Sequence, residues 1–366
     1  MLTVIAEMGS GGAEAVVQDL ALRLRASGDE VLVASAGGWR ADELAAADVP
    51  VALVPLRDPG ARALLLSARR LRGPLTSWRP DVVHAHNVRA TAAVHAARLG
   101  RRRPPVVTTV HGLADDAYRP AVRVLERCSD AVVAVSDDVR DRLVAAGLRP
   151  ERVVVVENAV PAPVRPAGAG SVRGELGIGV DRPLVLCAAR LARPKRVDLL
   201  VEAWEQVPRA HLLVAGDGPE RPDLERRVAD SPAAGRISLL GDRDDVGRLL
   251  GEADLLVLPS DREGLPMAVL EAMAAGVPVL ASAVGGLRGL RELDPGSIAL
   301  VEPGDAAALA AGVRDLLGDP ARRARVAAGG LALVERRFSS ARMVEGYRTA
   351  FQQVSESRKG VTEVRS

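Results

Sequence analysis

Short, continuous apolar runs alternate with amphipathic stretches along most of the chain. In the first half the runs fall near residues 2–6, 30–35, 51–55, 81–84, 106–110, 131–135 and 152–156. Their unbroken apolar character predicts strands buried on both faces. Between them lie helical periodicities such as Ala13 to Ser27 and Asp138 to Ala146, which Gly28 and Gly147 close as stop signals. At Pro161 the pattern breaks into PAPVRPAGAGS, rich in proline, alanine and glycine, the composition of an exposed linker. Alternation then resumes with LVLCAAR, HLLVAG, RISLLG, DLLVLP, PVLAS and IALVEP. From about Asp305 to near Ser355 the chain reads as helix, with no strand candidate.

Strands that alternate with helices predict a parallel α/β architecture. The expected arrangement is two doubly wound, Rossmann-like domains, residues 1–163 and 172–340, facing across a cleft, with a helical segment at 341–366. A chain of 366 residues suits two cores better than one. Open α/β sheets bind ligands beyond the carboxyl ends of their strands, so the expected site is the cleft between the domains.

Composition narrows the function classes. Aromatic residues are 2% of the chain, too few for a nucleic-acid surface built on stacked rings. The net charge of +2 comes without a block of like charge that would read as a tail. Lys195 and Lys359 are the two lysines among 49 basic residues, which reads first as a coding bias toward arginine. Cys128 and Cys187 lie in different expected domains, make no spaced metal or redox motif, and read as small buried side chains. Met1 to Ala6 reads as a first strand and not as a signal peptide. No stretch nears the roughly 20 apolar residues of a membrane span. The expected location is cytoplasmic, with peripheral docking at the inner face of the membrane left open. The stretch Arg101-Arg102-Arg103 would suit such a contact or an anionic acceptor, and reads more simply as a solvated loop.

Four segments carry candidate chemistry. Gly9-Ser10-Gly11-Gly12-Ala13-Glu14 follows the first strand and opens a helix, where bare backbone and unpaired N–H groups suit an anion as well as a tight turn. Glu14 stands where a dinucleotide fingerprint needs glycine, and no P-loop lysine follows. His111 in Val110-His111-Gly112 ends a strand and is placed to point at a ligand or to cap a turn. His84 and His86 in DVVHAHN also end a strand; they are read as facing different ways and as mainly structural. Arg190 and Lys195 lie on an irregular loop after LVLCAA, where a planar fork and a point charge would neutralise a diphosphate. Finally, Glu263-Gly264-Leu265-Pro266-Met267 leads into a helix that carries Glu271. Apolar neighbours predict burial of Glu271, and a buried carboxylate needs a partner such as a ribose diol. The Asp242-Arg243-Asp244 triplet has the D-x-D form linked to metals but sits before a helix, where Asp244 or Asp245 is expected to be the N-cap. No metal site is expected.

Taken together, GSGGAE at 9–14, DVVHAH at 81–86, VTTVHG at 107–112, AVVAVSDDVRDRL at 131–143 and VVVVENAV at 153–160 make the chain resemble glycosyltransferase family 4. AARLARPKRVDLLVEAW at 188–204, LLVAGDGPE at 212–220, LPSDREGLPMAVLEAMAAGVPVLAS at 258–282 and VEPGD at 301–305 extend the resemblance nearly end to end. This family comprises retaining enzymes of the two-domain GT-B fold, and Glu263 and Glu271 match its E-x7-E element. The resemblance implies that Gly11 and Gly12 lie against the donor phosphate and that Arg190 and Lys195 bind the diphosphate. It implies further that Glu263 and Gly264 to Met267 hold the transferred sugar, that Glu271 takes the ribose hydroxyls, and that His111 touches the sugar near the reacting centre. Gly216 and Leu240, within the segments that approach the nucleotide, complete the expected donor site. The C-terminal helix would pack back on the first domain. Asn158-Ala159 and Gly285-Gly286-Leu287-Arg288-Gly289 depart from the usual Asn-Gly and GG-x-x-E, which weakens transfer of contacts to those positions.

The function so implied is metal-independent, retaining transfer from a nucleotide-diphosphate sugar, with no further cofactor, to a glycoside, lipid or metabolite hydroxyl. A nucleotide-sugar epimerase or phosphorylase, or an inactive nucleotide-sugar-binding protein, is the alternative.

Overall fold

The computed structural model describes residues 1–98, 104–160 and 171–363, with side chains described up to 356. Arg101-Arg102-Arg103 and nearly all of the expected linker, residues 161–170, lie outside them. Contacts divide the chain into two compact units, Met1–Ala159 with Ser340–Ser366, and Val160–Ser339.

The first unit holds seven strands: β1 (Leu2–Val4), β2 (Leu32–Ser35), β3 (Val51–Leu53), β4 (Val83–His86), β5 (Val106–Val110), β6 (Ala131–Ala134) and β7 (Val153–Val155). They pair in parallel in the order β3-β2-β1-β4-β5-β6-β7. The second unit holds β8 (Leu184–Ala188), β9 (His211–Ala215), β10 (Ile237–Gly241), β11 (Leu255–Leu258), β12 (Val279–Ser282) and β13 (Ala299–Val301), also parallel, in the order β10-β9-β8-β11-β12-β13. Each expected apolar run becomes a strand, and the central strands are buried almost throughout, while the edge strands β3 and β10 are only partly covered. In the second unit Trp204 is fully buried among Leu200, Leu212 and Ile237.

Both sheets reverse direction once, between β1 and β4 and between β8 and β11. Connections leave such a point on opposite sides, which opens a crevice at the carboxyl ends of the two strands. The loops after β8 and β11 carry Arg190, Lys195 and Glu263; those after β1 and β5 carry Gly11, Gly12 and His111.

The helix Ser340–Glu363 belongs to the first unit, on which it packs. Gly346 lies against Val156, where an added Cβ would come within 3.0 Å of a methyl, and Arg348 pairs with Asp29 at 2.5 Å.

Candidate functional site

In the second unit, backbone contacts draw three loops together at the strand reversal. The loop after β8 bends through a short turn, Arg193–Lys195, and leaves it at Arg196 with φ +49°, a left-handed conformation costly for a side chain of this size. Ion pairs from Arg196 to Asp198 (3.1 Å) and to Asp261 (3.2 Å) hold it there. The N–H of Asp261 donates to the Pro194 carbonyl at 2.9 Å, which ties the β8 and β11 loops directly.

That fastening brings Lys195 and Glu263 together. Lys195 Nζ donates to Glu263 Oε1 at 2.7 Å, and Ser260 Oγ donates to the same oxygen at 2.6 Å. The Glu263 side chain is 7% exposed and Lys195 28%, so the carboxylate is sealed on one side while the ammonium keeps an open face. Both bonds fall on Oε1. Arg190, by contrast, is exposed and makes no ion pair among the described residues. Beneath them lies Cys187, fully buried, its thiol pushed up to about 12 by burial. Cys128 is free and half-buried, less enclosed than its sequence neighbours suggest.

Glycines set the approach of the other loops. Gly216 takes φ +136°, its N–H donates to the Gly241 carbonyl at 2.7 Å, and an added Cβ would fall on the Ala189 carbonyl oxygen. Leu240 is the extra residue of a bulge, since Leu239 pairs with Val214 and Gly241 with Ala215. A bulge re-aims the chain locally, and here Leu240 is left half-buried. Gly286 donates its N–H to the Glu263 carbonyl at 3.1 Å, and a Cβ on it would coincide with the Gly264 carbonyl oxygen. Although the expected glutamate is missing from this segment, its glycine holds the Glu263 loop in place. Gly286 escapes sequence reasoning because it acts through a contact with a separate loop, and Ser260 because nothing in its residue type marks it as the neighbour of Glu263.

The helix after this loop is Met267–Ala274, with Pro266 as its N-cap and no side-chain cap, so its first N–H groups face the loop of Gly264 and Leu265. Leu265 and Met267 are buried anchors. Glu271 is half-buried between buried Leu270 and Ala272, not enclosed as its neighbours predict, because it shares with Ala268 the one narrow strip of this helix that is not buried. After Asp242-Arg243-Asp244, Asp245 is the N-cap of the helix Val246–Glu252, one of the two residues expected there. Its side chain accepts no helix N–H; Arg243 and Arg248 hold the carboxylate at 2.6 and 3.1 Å and keep it below the usual range. Among the described residues no group of three histidine, cysteine or acidic side chains is placed to hold a metal ion.

In the first unit the glycine loop leads into the helix Gly12–Ala26, capped at Gly11. A Cβ on Gly11 would strike the Glu14 carboxylate, which folds back over the helix start. The bare backbone at Gly11 therefore already serves an internal contact with a carboxylate. Arg40 and Trp39 brace the loop through the Gly9 carbonyl (2.9 Å) and Ser10 Oγ (3.3 Å). A cavity of about 260 Å³ opens beside it, lined by Glu7, Gly9, Gly37, Arg57 and Asp58.

His111 follows β5 and is half-buried. His86 Nδ1 lies 2.9 Å from His111 Nε2, with the rings stacked at 5.2 Å. The expectation that His84 and His86 face different ways is wrong: residues two apart on a strand share a face, and the rings lie 4.2 Å apart. His84 Nε2 meets Thr109 Oγ1 at 2.8 Å, Thr109 Oγ1 meets the Tyr347 hydroxyl at 3.2 Å, and Tyr347 and Phe351 flank the His84 ring. Burial holds all three histidines neutral at pH 7, with His84 pushed down to about 3 and His111 to about 4.

Known proteins share this plan. The profile of Glycosyltransferase Family 4 matches residues 10–162, and that of Glycosyl transferases group 1 matches residues 182–319. The chain is 33% identical over 303 residues to the D-inositol 3-phosphate glycosyltransferase of Xylanimonas cellulosilytica, covering 74% of this chain and 72% of that one. It is 28% identical over 287 residues to N-acetyl-alpha-D-glucosaminyl L-malate synthase of Bacillus anthracis, covering 75% of each. Among solved structures, HepE of Anabaena in complex with UDP-glucose matches 98% of this chain and 99% of its own, with TM-score 0.83 and 24% identity, a likeness of fold. Two Rossmann-like parallel sheets, matching profiles over both units, and a relative at this identity lead to one assignment: the chain belongs to glycosyltransferase family 4.

Proposed function

We propose that this glycosyltransferase moves a sugar from a nucleoside-diphosphate donor, held at the carboxyl ends of β8 and β11, to a hydroxyl of a small acceptor, with retention at the anomeric carbon and without a metal. The observation that carries the reading is the Lys195–Glu263 pair at 2.7 Å, with Ser260 on the same carboxylate oxygen. It presents a cation beside a fixed acceptor, which suits a diphosphate beside a sugar hydroxyl. Arg190, exposed and unpaired among the described residues, supplies a second cation. The two stabilise the charge that grows on the leaving diphosphate, a role worth about 2–4 kcal/mol per preorganised group. Glu263 Oε2 and the N–H groups opening the helix Met267–Ala274 hold the sugar, Glu271 takes the ribose hydroxyls, and Gly216 and Leu240 border the nucleotide.

Retention follows from the family reading: Glu263 is engaged in binding, so attack comes from the face the leaving group occupies, with the donor phosphate assisting removal of the acceptor proton. Positive charge from Arg190 and Lys195 does the work a metal would do at the diphosphate. The relatives named above carry inositol phosphate and malate in their names, both hydroxylated anions. The first-unit cavity does not by itself favour such an anion, because Glu7 and Asp58 line it beside Arg57 and Arg57 pairs with Glu7 at 3.2 Å. The epimerase, phosphorylase and non-catalytic alternatives have no counterpart among the named relatives.

Thermal-shift titration with UDP-, GDP-, ADP- and dTDP-sugars tests the donor. One of them should raise Tm and then yield, with a hydroxylated phosphate or carboxylate acceptor, an α-linked product from an α-linked donor by NMR. A β-linked product would end the retaining reading, and no shift with any donor would end the donor site.

A further inference from the structure

On β4, four ring nitrogens divide evenly into bonded and orphaned. His84 Nε2 is within 2.8 Å of Thr109 Oγ1, and His86 Nδ1 within 2.9 Å of His111 Nε2. Their other nitrogens, His84 Nδ1 and His86 Nε2, are buried without a partner. Both rings are sealed, and burial disfavours the doubly protonated form of each. A neutral imidazole holds a single proton, and the bonds around it decide which nitrogen carries it. An orphaned N–H in a sealed site is rarer than an orphaned lone pair. The proton of each ring therefore belongs on its bonded nitrogen.

We infer that His86 is a positioning residue: it donates its Nδ1–H to His111 Nε2 and so holds His111 as the neutral tautomer protonated on Nδ1. His84 takes the opposite tautomer and donates its Nε2–H to Thr109 Oγ1. His111 is half-buried, and its Nδ1 is not among the sealed, unpartnered atoms, so the ring shows a donor N–H on its open side. Its only basic lone pair is already engaged by His86. His111 thus gives a hydrogen bond to an oxygen and does not receive the acceptor's proton. This last consequence rests on the proposed meeting of His111 with the donor sugar; the placement of the protons does not.

The chain has five histidines, few enough for assignment one by one in a ¹⁵N-histidine-labelled sample of the whole protein. Long-range ¹H–¹⁵N correlation at pH 7 should find the proton on Nδ1 of His86 and His111 and on Nε2 of His84. A proton on Nε2 of His86 overturns the inference, and this spectrum of the unaltered protein decides it even if every variant misfolds. In His86→Leu, His111 should change to the Nε2–H tautomer and kcat should fall at least about tenfold, with a smaller change in donor KM. His86→Asn, whose amide can donate from the place of Nδ1, should restore most of kcat and the original tautomer. Equal kcat in both variants, with His111 unchanged, overturns the positioning role. Full activity in His111→Ala would instead remove the donor contact and leave the proton placement to the spectrum.

Discussion

Arg190 and Lys195 stand on one loop but in different company. Arg190 is exposed and unpaired among the described residues, so Arg190→Ala should cut turnover by about tenfold to a hundredfold while Tm stays put. Lys195 satisfies a carboxylate that is 7% exposed, so Lys195→Ala should lower turnover similarly and also cost about 1–3 kcal/mol of stability. Denaturant unfolding alongside kinetics separates the two, and equal stability in both variants would contradict the buried-pair reading. At Gly286 a single methyl would coincide with the Gly264 carbonyl, so Gly286→Ala should displace the Glu263 loop at a cost of about 1–3 kcal/mol and weaken donor binding. Unchanged donor affinity in this variant would show that the contact does not set the loop. The histidines make a pH prediction. Their folded values, about 3 for His84 and about 4 for His111, lie below the unfolded value near 6.5, so the unfolded chain binds more protons through that interval. The stability they contribute is complete above about pH 6.5 and is lost as pH falls toward 4. Urea midpoints should drop between pH 7 and 5, and a flat profile would contradict their neutral burial.

Among the elements, strands were the most legible part. Most are apolar runs whose burial is written in their composition, although β4 carries His84 and His86 and the edge strand β3 ends in the exposed Leu53. The loops were legible only as chemistry. Arg190, Lys195 and Glu263 announce themselves by residue type, but Gly286 acts on Glu263 across a gap in sequence that no periodicity records. Glu14 illustrates the same limit, since nothing in GSGGAE says that the carboxylate folds over Gly11. The histidines of β4 follow strand alternation, which sets residues two apart on one face, and their rings lie 4.2 Å from each other. Within the first unit, the helix Ser340–Glu363 closes the histidine cluster with Tyr347 and Phe351. Ending the chain before Ser340 should expose His84 and lower the Tm of the remaining protein, and a deletion variant as stable as the whole chain would show that this packing contributes nothing.

For the whole molecule, the family accounts for two consecutive parallel sheets and for glycosyl transfer. Activity should persist in excess chelator; loss that added divalent metal restores would show that Arg190 and Lys195 do not suffice at the diphosphate. The most direct test of the account is calorimetric titration of the best nucleoside-diphosphate sugar into the unaltered protein and into Arg190→Ala and Glu263→Gln. The account predicts at least about tenfold weaker binding in both variants with little change in Tm for Arg190→Ala. Unaltered affinity in both would contradict a donor site at the carboxyl ends of β8 and β11.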